Sequence, residues 1–169
     1  MDREELVDRL RHAGTDVLAD VRRYPGSRRN PGIGRDALAR WLPEAGLEYR
    51  WLEALGGRRT LPVGTESLDP WWNVDAFRAY AAHTRTPEFA EELSWLLHEA
   101  ASRTVALMCS ESVWWRCHRR LICDVVVLRY AHTVTHLLPG GRTMEHVPAD
   151  GARVRLDGSV VWDRSRANG

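Results

Sequence analysis

Two short stretches far apart in the chain hold the side chains that could do chemistry. One is Asp20-Val21-Arg22-Arg23, running on through Tyr24, Pro25 and Ser27 to Arg28 and Arg29. The other is Cys109-Ser110-Glu111, followed by Cys117-His118-Arg119-Arg120. Together they offer carboxylates, thiols, an imidazole and several guanidinium forks. Such forks match the paired oxygens of phosphate or carboxylate, and a nearby helix amino end adds unpaired N–H donors and partial positive charge. If both stretches open on one crevice, an anionic ligand is the economical expectation.

In that crevice Cys109 would be nucleophile or polar contact, its thiolate favoured by Arg119, His118 and the helix end. Glu111 would be the acid or base, and Asp20 and His118 complete the catalytic candidates. Arg22, Arg23, Ser27, Cys117 and Arg119 are the substrate-binding candidates. Each also has a plainer reading. A cysteine ending a buried strand often serves as a small hydrophobe, and Cys117 suits a structural role. Cys123 lies in an apolar run and reads as core. Glu111 could cap a helix or pair with an arginine, and Asp20, beside Arg22 and Arg23, could anchor a loop. Arg28, Arg29 and Arg35 read as an exposed basic rim, useful to a nucleic-acid partner. Trp71, Trp72, Trp114 and Trp115 could stack on a base or simply cover the core.

A metal is a third possibility, because Cys109, Cys117, His118, His136 and His146 are all ligand types. The two cysteines stand eight positions apart with no Cys-x2-Cys pair, which supports a structural zinc site only weakly. No metal ligand is assigned, and the cofactor stays open. His136 and His146 flank a Pro-Gly-Gly turn and could face each other across a hairpin.

The elements that must position these groups follow from periodicity and punctuation. Asp2 with Glu5 has the form of a capping box, and Leu6, Leu10 and Ala13 recur at helical spacing until Gly14. Val17-Leu18-Ala19-Asp20-Val21 reads as a buried strand, and the Pro- and Gly-rich stretch from Tyr24 to Gly34 as a loop. Leu38, Trp41, Leu42 and Ala45 mark a second helix that Pro43 bends or shortens. Tyr49-Arg50-Trp51-Leu52 is a second strand closed by Gly56-Gly57, with an irregular region to about Trp72 and a helix over Asp75 to His83. Thr86-Pro87-Glu88 starts another helix, with Phe89, Leu93, Leu96, Leu97 and Ala100 as its apolar stripe. Thr104 to Cys109 is the clearest strand, apolar enough to be covered on both faces. A helix follows from about Ser112 or Val113 to Tyr130, so that Cys117 lies about one turn inside it; Thr133 to Leu138 is a further strand. The tail, Arg153 to Trp162, reads as a hairpin around Asp157-Gly158.

Strands alternating with helices predict an α/β fold in three layers: a mostly parallel sheet, helices on both faces, and an antiparallel hairpin at the carboxyl end. Residues 1–150 would form the α/β domain and 151–169 the hairpin extension and tail. Open parallel sheets bind ligands beyond the carboxyl ends of their strands, where both polar clusters fall.

Asp20-Val21-Arg22 with Pro25 and Ser27, Leu55-Gly56-Gly57, Leu107-Met108-Cys109-Ser110-Glu111 and Cys117-His118-Arg119 resemble the domain of unknown function 488 family, from about Val17 to His146. The Cys-x-Glu segment followed by Cys-His-Arg is the most specific part. The resemblance implies a compact α/β domain of bacteria or archaea and brings no settled reaction. Members usually begin with a strand carrying a Thr-Ile-Gly-His-Ser-like segment, whereas this sequence opens in the helix after it. Trp114-Trp115 between the cysteines is an elaboration.

Composition narrows the function classes. The chain has 169 residues, 44% hydrophobic and 28% charged, enough for a core and too apolar for wholesale disorder. No apolar run has the ~18 residues of a membrane span, and no secretory signal opens the chain. Three cysteines are too few and too odd in number for a disulfide framework, so reduced thiols in a cytoplasmic protein are expected. All 24 basic residues are arginine, yet the net charge is only +1, which excludes a polycation that coats nucleic acid. The leading expectation is an enzyme acting on an anionic substrate, a nucleotide or a nucleic-acid component. The alternatives are a non-catalytic nucleic-acid-binding module and a metal-dependent form of the enzyme.

Overall fold

The structure, a computed structural model, describes residues 2–26 and 31–164. Ser27, Arg28 and Arg29 lie outside the described residues. In chain order the elements are α1 (Arg3–His12), β1 (Val17–Asp20), α2 (Arg35–Glu44), β2 (Glu48–Trp51), α3 (Asp75–His83), α4 (Pro87–Ala100), β3 (Val105–Met108), α5 (Arg119–Tyr130), β4 (Thr135–Leu137), β5 (Thr143–Glu145), β6 (Ala152–Val154) and β7 (Val160–Trp162). The fold is α/β, with a parallel three-stranded sheet and antiparallel strand pairs towards the carboxyl end. The chain forms two compact units. The first comprises Met1–Gly56 and Glu91–Ser110, the second Gly57–Ala90 and Glu111–Gly169. No helix among the described residues is long and apolar enough to cross a membrane.

In the first unit the strand order is β2-β1-β3, all parallel. Val17, Leu18 and Ala19 of the central strand are at most 1% exposed, because a parallel strand between two neighbours is covered on both faces. On one face Leu18 packs in a cluster with Leu6, Val7 and Leu10 of α1 and Leu38, Trp41 and Leu42 of α2, with Tyr49, Ala106 and Met108 beside them. Side chains alternate along a strand, so Arg50 points to the other face, where its guanidinium lies 5.1 Å over the Trp95 ring of α4. Helices therefore cover both faces of this sheet.

The helix starts obey local chemistry. The Asp2 carboxylate accepts from the Glu5 amide at 2.9 Å, as the capping box requires. Thr86 Oγ1 accepts from the Phe89 amide at 3.3 Å ahead of Pro87. Pro43 is accommodated in the last turn of α2, which closes with the Ala45 amide on the Trp41 and Leu42 carbonyls.

In the second unit α5 packs against β6 and β7, and Leu121, Ile122 and Trp162 are fully buried. Buried Asp69 accepts two bonds from Arg85, at 3.1 and 2.7 Å, and one from the Trp162 amide at 3.1 Å. The tail hairpin forms as expected, with Gly158 at φ +79° in its turn. The stretch from Thr133 to Leu138 contains the expected strand. This strand, β4, pairs antiparallel with β5, because Gly140 and Gly141 take φ of +75° and +74° and turn the chain back on itself.

The buried Asp20–Arg22 pair of the first unit is costly to disturb. Asp20→Ala would leave a guanidinium with 6% exposure without its carboxylate, a loss of about 3–5 kcal/mol. Urea unfolding of this variant should show that loss, whereas Arg9→Ala, which removes an exposed i,i+4 partner of Glu5, should cost no more than about 0.5 kcal/mol.

Candidate functional site

In the first unit the carboxyl edge of the sheet carries Asp20, Arg22, Arg23 and Cys109. Asp20 pairs in register with Met108, and the Val21 amide donates to the Met108 carbonyl at 2.9 Å, so half-buried Cys109 leaves the strand next to the one that Asp20 ends. The Asp20 carboxylate is fully buried. It accepts from the Arg22 amide at 3.1 Å, from Arg22 Nε at 2.8 Å and Nη2 at 2.5 Å, and from the Tyr49 hydroxyl at 2.9 Å. Arg22 Nη2 also donates to the Ile33 carbonyl at 3.0 Å. Burial alone would lower the Arg22 pKa, but the hydrogen bond and charge of Asp20 outweigh it and hold the guanidinium above its usual value. The Tyr49 phenol is pushed up by burial first and by Asp20 second. Sequence reasoning offered Asp20 for catalysis and Arg22 for ligand contact. The geometry shows both engaged with each other and with the loop ending at Ile33.

Arg23, next along, is half-buried. A Cβ on Gly56 would stand 2.7 Å from the Arg23 N and Cα atoms, so the first glycine of Leu55-Gly56-Gly57 is needed for the close approach of this loop.

Glu111, Cys117, His118 and Arg119 belong to the second unit. The expected helix from Ser112 does not form as such. Trp114–Arg116 is a single 3-10 turn, Cys117 is extended (φ −121°, ψ 149°), and α5 begins at Arg119. Cys117 therefore precedes the helix instead of lying a turn inside it. The aromatic pair is a weak helix former, and Trp114 is held instead by stacking on His136, with centroids 3.7 Å apart and planes 11° apart.

This extended turn gathers the polar groups. Cys117, 2% exposed, accepts at Sγ from Arg119 Nε at 3.4 Å and lies 3.6 Å from His118 Nδ1. Arg119 Nη2 also donates to the Glu111 backbone carbonyl, whereas Glu111 itself is an exposed residue. The His118 ring packs 4.9 Å from Tyr80. A Cβ on Gly57 would stand 2.7 Å from His118 Nδ1, so the second glycine of the pair makes room for the imidazole. A thiol between a guanidinium and an imidazole is in surroundings that favour its thiolate. A soft metal bound at ~2.3 Å by sulfur and ~2.0 Å by nitrogen also brings its donors to about the separation of this Cys117–His118 pair. Cys123, by contrast, is core: burial pushes its thiol up to about 12.

Sequence reasoning placed His136 and His146 face to face but missed what they serve. His136 Nε2 and His146 Nδ1 are 2.9 Å apart, and His146 Nε2 is 2.7 Å from Asp124 Oδ1. Asp124, fully buried on α5, also accepts from Trp162 Nε1 at 2.7 Å and the Ala149 amide at 3.3 Å. A carboxylate accepts only, so the network assigns a proton to His146 Nε2 and another to His136 Nε2. The signal was Asp124 itself, a lone charge inside the apolar run Leu121 to Val127, since a buried charge requires partners. Burial, then His146, then the positive charge of Arg119 lower His136 to about 4.

Compared with known proteins, the chain matches the family model described as a domain of unknown function, DUF488, over residues 2–126. That span contains both motif clusters and Asp124 and stops before His136. No curated protein and no solved structure matches the chain.

Two outcomes follow from these contacts. Folded His136 titrates near 4 and unfolded histidine near ~6.5, so between these values the unfolded chain binds more protons and stability falls as pH falls. His136→Gln should unfold more readily than the native chain at pH 7, and urea midpoints should show that gap narrowing at about pH 5. Gly57→Ala should cost about 1–3 kcal/mol by overpacking and move the His118 imidazole resonances, while Gly64→Ala, with nothing within 4 Å but φ +81°, should leave those resonances in place.

Proposed function

The chain belongs to the DUF488 family, and we propose that this member is an enzyme acting on an anionic substrate, a nucleotide or nucleic-acid component, through the Cys117 thiolate. The observation that carries this reading is Cys117 Sγ set 3.4 Å from Arg119 Nε and 3.6 Å from His118 Nδ1. Arg119 lowers the cost of the thiolate and presents positive charge to the substrate. His118 accepts the thiol proton and returns it to the leaving group once sulfur has attacked the electrophilic atom. In this reading Glu111 contributes through its backbone carbonyl, which accepts from Arg119 Nη2 and holds the guanidinium in place.

The thiolate is read best by its ultraviolet absorbance, which follows ionisation directly and does not depend on reagent access to a residue with 2% exposure. One thiolate should titrate well below the ~8.5 of an ordinary cysteine, disappear in Cys117→Ser and persist in Cys123→Ser. Arg119→Gln should raise its pKa by about 1–2 units, and inorganic phosphate should raise it in the native protein alone. A titration without any low-pKa thiolate, or one unchanged by Cys117→Ser, would overturn the reading.

The 3.6 Å Cys117–His118 separation favours a second reading, in which the enzyme is metal-dependent. Elemental analysis should then find about one zinc per chain, lost in Cys117→Ser; native protein purified without chelator and lacking metal would dispose of it.

A further inference from the structure

The loop held by Asp20 and Arg22 lines a cleft in the first unit. The cleft has a volume of about 610 Å³, and its walls include Arg23, Tyr24, Arg35, Arg40 and Trp51. That is the range of sites that take a small ligand. Its basic groups come from two places, the loop after β1 and the first turns of α2. Asp36 and Glu53 also line it, and Arg35 pairs with Asp36 at 2.9 Å, so three guanidiniums face two carboxylates.

Its aromatic component is equally specific. Tyr24 is 61% exposed, and the Arg23 guanidinium lies 5.7 Å from its ring centroid. Arg35 lies 4.9 Å over the Trp51 ring. Guanidiniums beside aromatic faces are what a phosphate joined to a base requires, since the fork takes the oxygens and the ring takes the base.

The walls are built before any ligand arrives. Arg22 Nη2 donates to the Ile33 carbonyl, Trp51 Nε1 to the Arg22 carbonyl at 2.8 Å, Trp41 Nε1 to the Gly32 carbonyl at 2.9 Å, and the Arg35 amide to the Pro25 carbonyl at 3.1 Å. The described walls are therefore held by the chain's own hydrogen bonds, which lowers the cost of ordering them on binding.

We propose that this cleft binds a nucleotide unit, with its phosphate on Arg23, Arg35 and Arg40 and its base against Tyr24. The unit is either a free nucleotide or one residue of a single strand. The site uses residues of the first unit only and stands whether or not Cys117 does chemistry.

The test is equilibrium binding to the full chain at low salt, using AMP, a short oligo-dT and inorganic phosphate as probes. AMP and the oligonucleotide should bind at least ten-fold more tightly than phosphate. Arg35→Gln with Arg40→Gln should weaken both by ten-fold or more, and should reduce the salt slope for the oligonucleotide by about 0.7 per lost contact. Tyr24→Ala should weaken AMP and the oligonucleotide several-fold and leave phosphate unchanged. These substitutions lie on exposed side chains, so unchanged urea midpoints will show that the fold is intact. Oligonucleotide binding tighter than AMP identifies the strand as the source; equal affinities identify the free nucleotide. Absence of binding by all three probes, binding that ignores the Arg35, Arg40 and Tyr24 substitutions, or phosphate binding as tight as AMP would overturn the proposal.

Discussion

The Asp20 carboxylate is the constraint on which the first unit depends. It sits at the end of the central strand with no access to water, and it is tolerable only because Arg22 and Tyr49 bring four donor contacts to it. Burying both charges costs several kcal/mol of hydration, which the pair recovers only if its geometry is complete. That requirement draws Arg22 inward, and the inward guanidinium then captures the Ile33 carbonyl. The loop between β1 and α2 is thereby tied at Ile33 by this ion pair as well as by the packing of Ile33 against the core.

The second unit is built around buried carboxylates too. Asp69 collects Arg85 and the Trp162 amide, and Asp124 collects His146, the Trp162 indole and the Ala149 amide. Trp162 is thus held from both ends, by its backbone and by its ring. His136 extends the Asp124 network to Trp114, whose stacked ring anchors the turn that delivers Cys117 and His118. The thiol is consequently positioned by a chain of imidazoles and an indole, and its charged neighbour, Arg119, comes from the first residue of α5.

Much of the fold was legible because its signals are local. The Asp2 and Thr86 caps, the apolar strands at Val17 and Val105, and the Asp157-Gly158 turn all act within a few residues. Gly56 and Gly57 were legible as punctuation only; that one clears the Arg23 backbone and the other the His118 imidazole depends on partners remote in sequence. The start of α5 was misplaced for a related reason. Nothing between Ser112 and Arg120 forbids a helix outright, and the competing interaction, Trp114 on His136, joins residues that no periodicity connects. The strand after α5 was seen, but whether it joins a sheet or folds back on its neighbour was decided by Gly140 and Gly141.

By itself the sequence determined the α/β class, the order of most elements and the two clusters of chemically able side chains, since hydrophobic period and residue type are properties of neighbours along the chain. Tertiary structure alone decided what those side chains are occupied with: that Arg22 turns into the core, that Cys117 lies between Arg119 and His118, and that Asp124 answers to His146 and the Trp162 indole. The reason is that a buried polar group must find its hydrogen-bond partners in space, and closeness in space is set only when the elements pack.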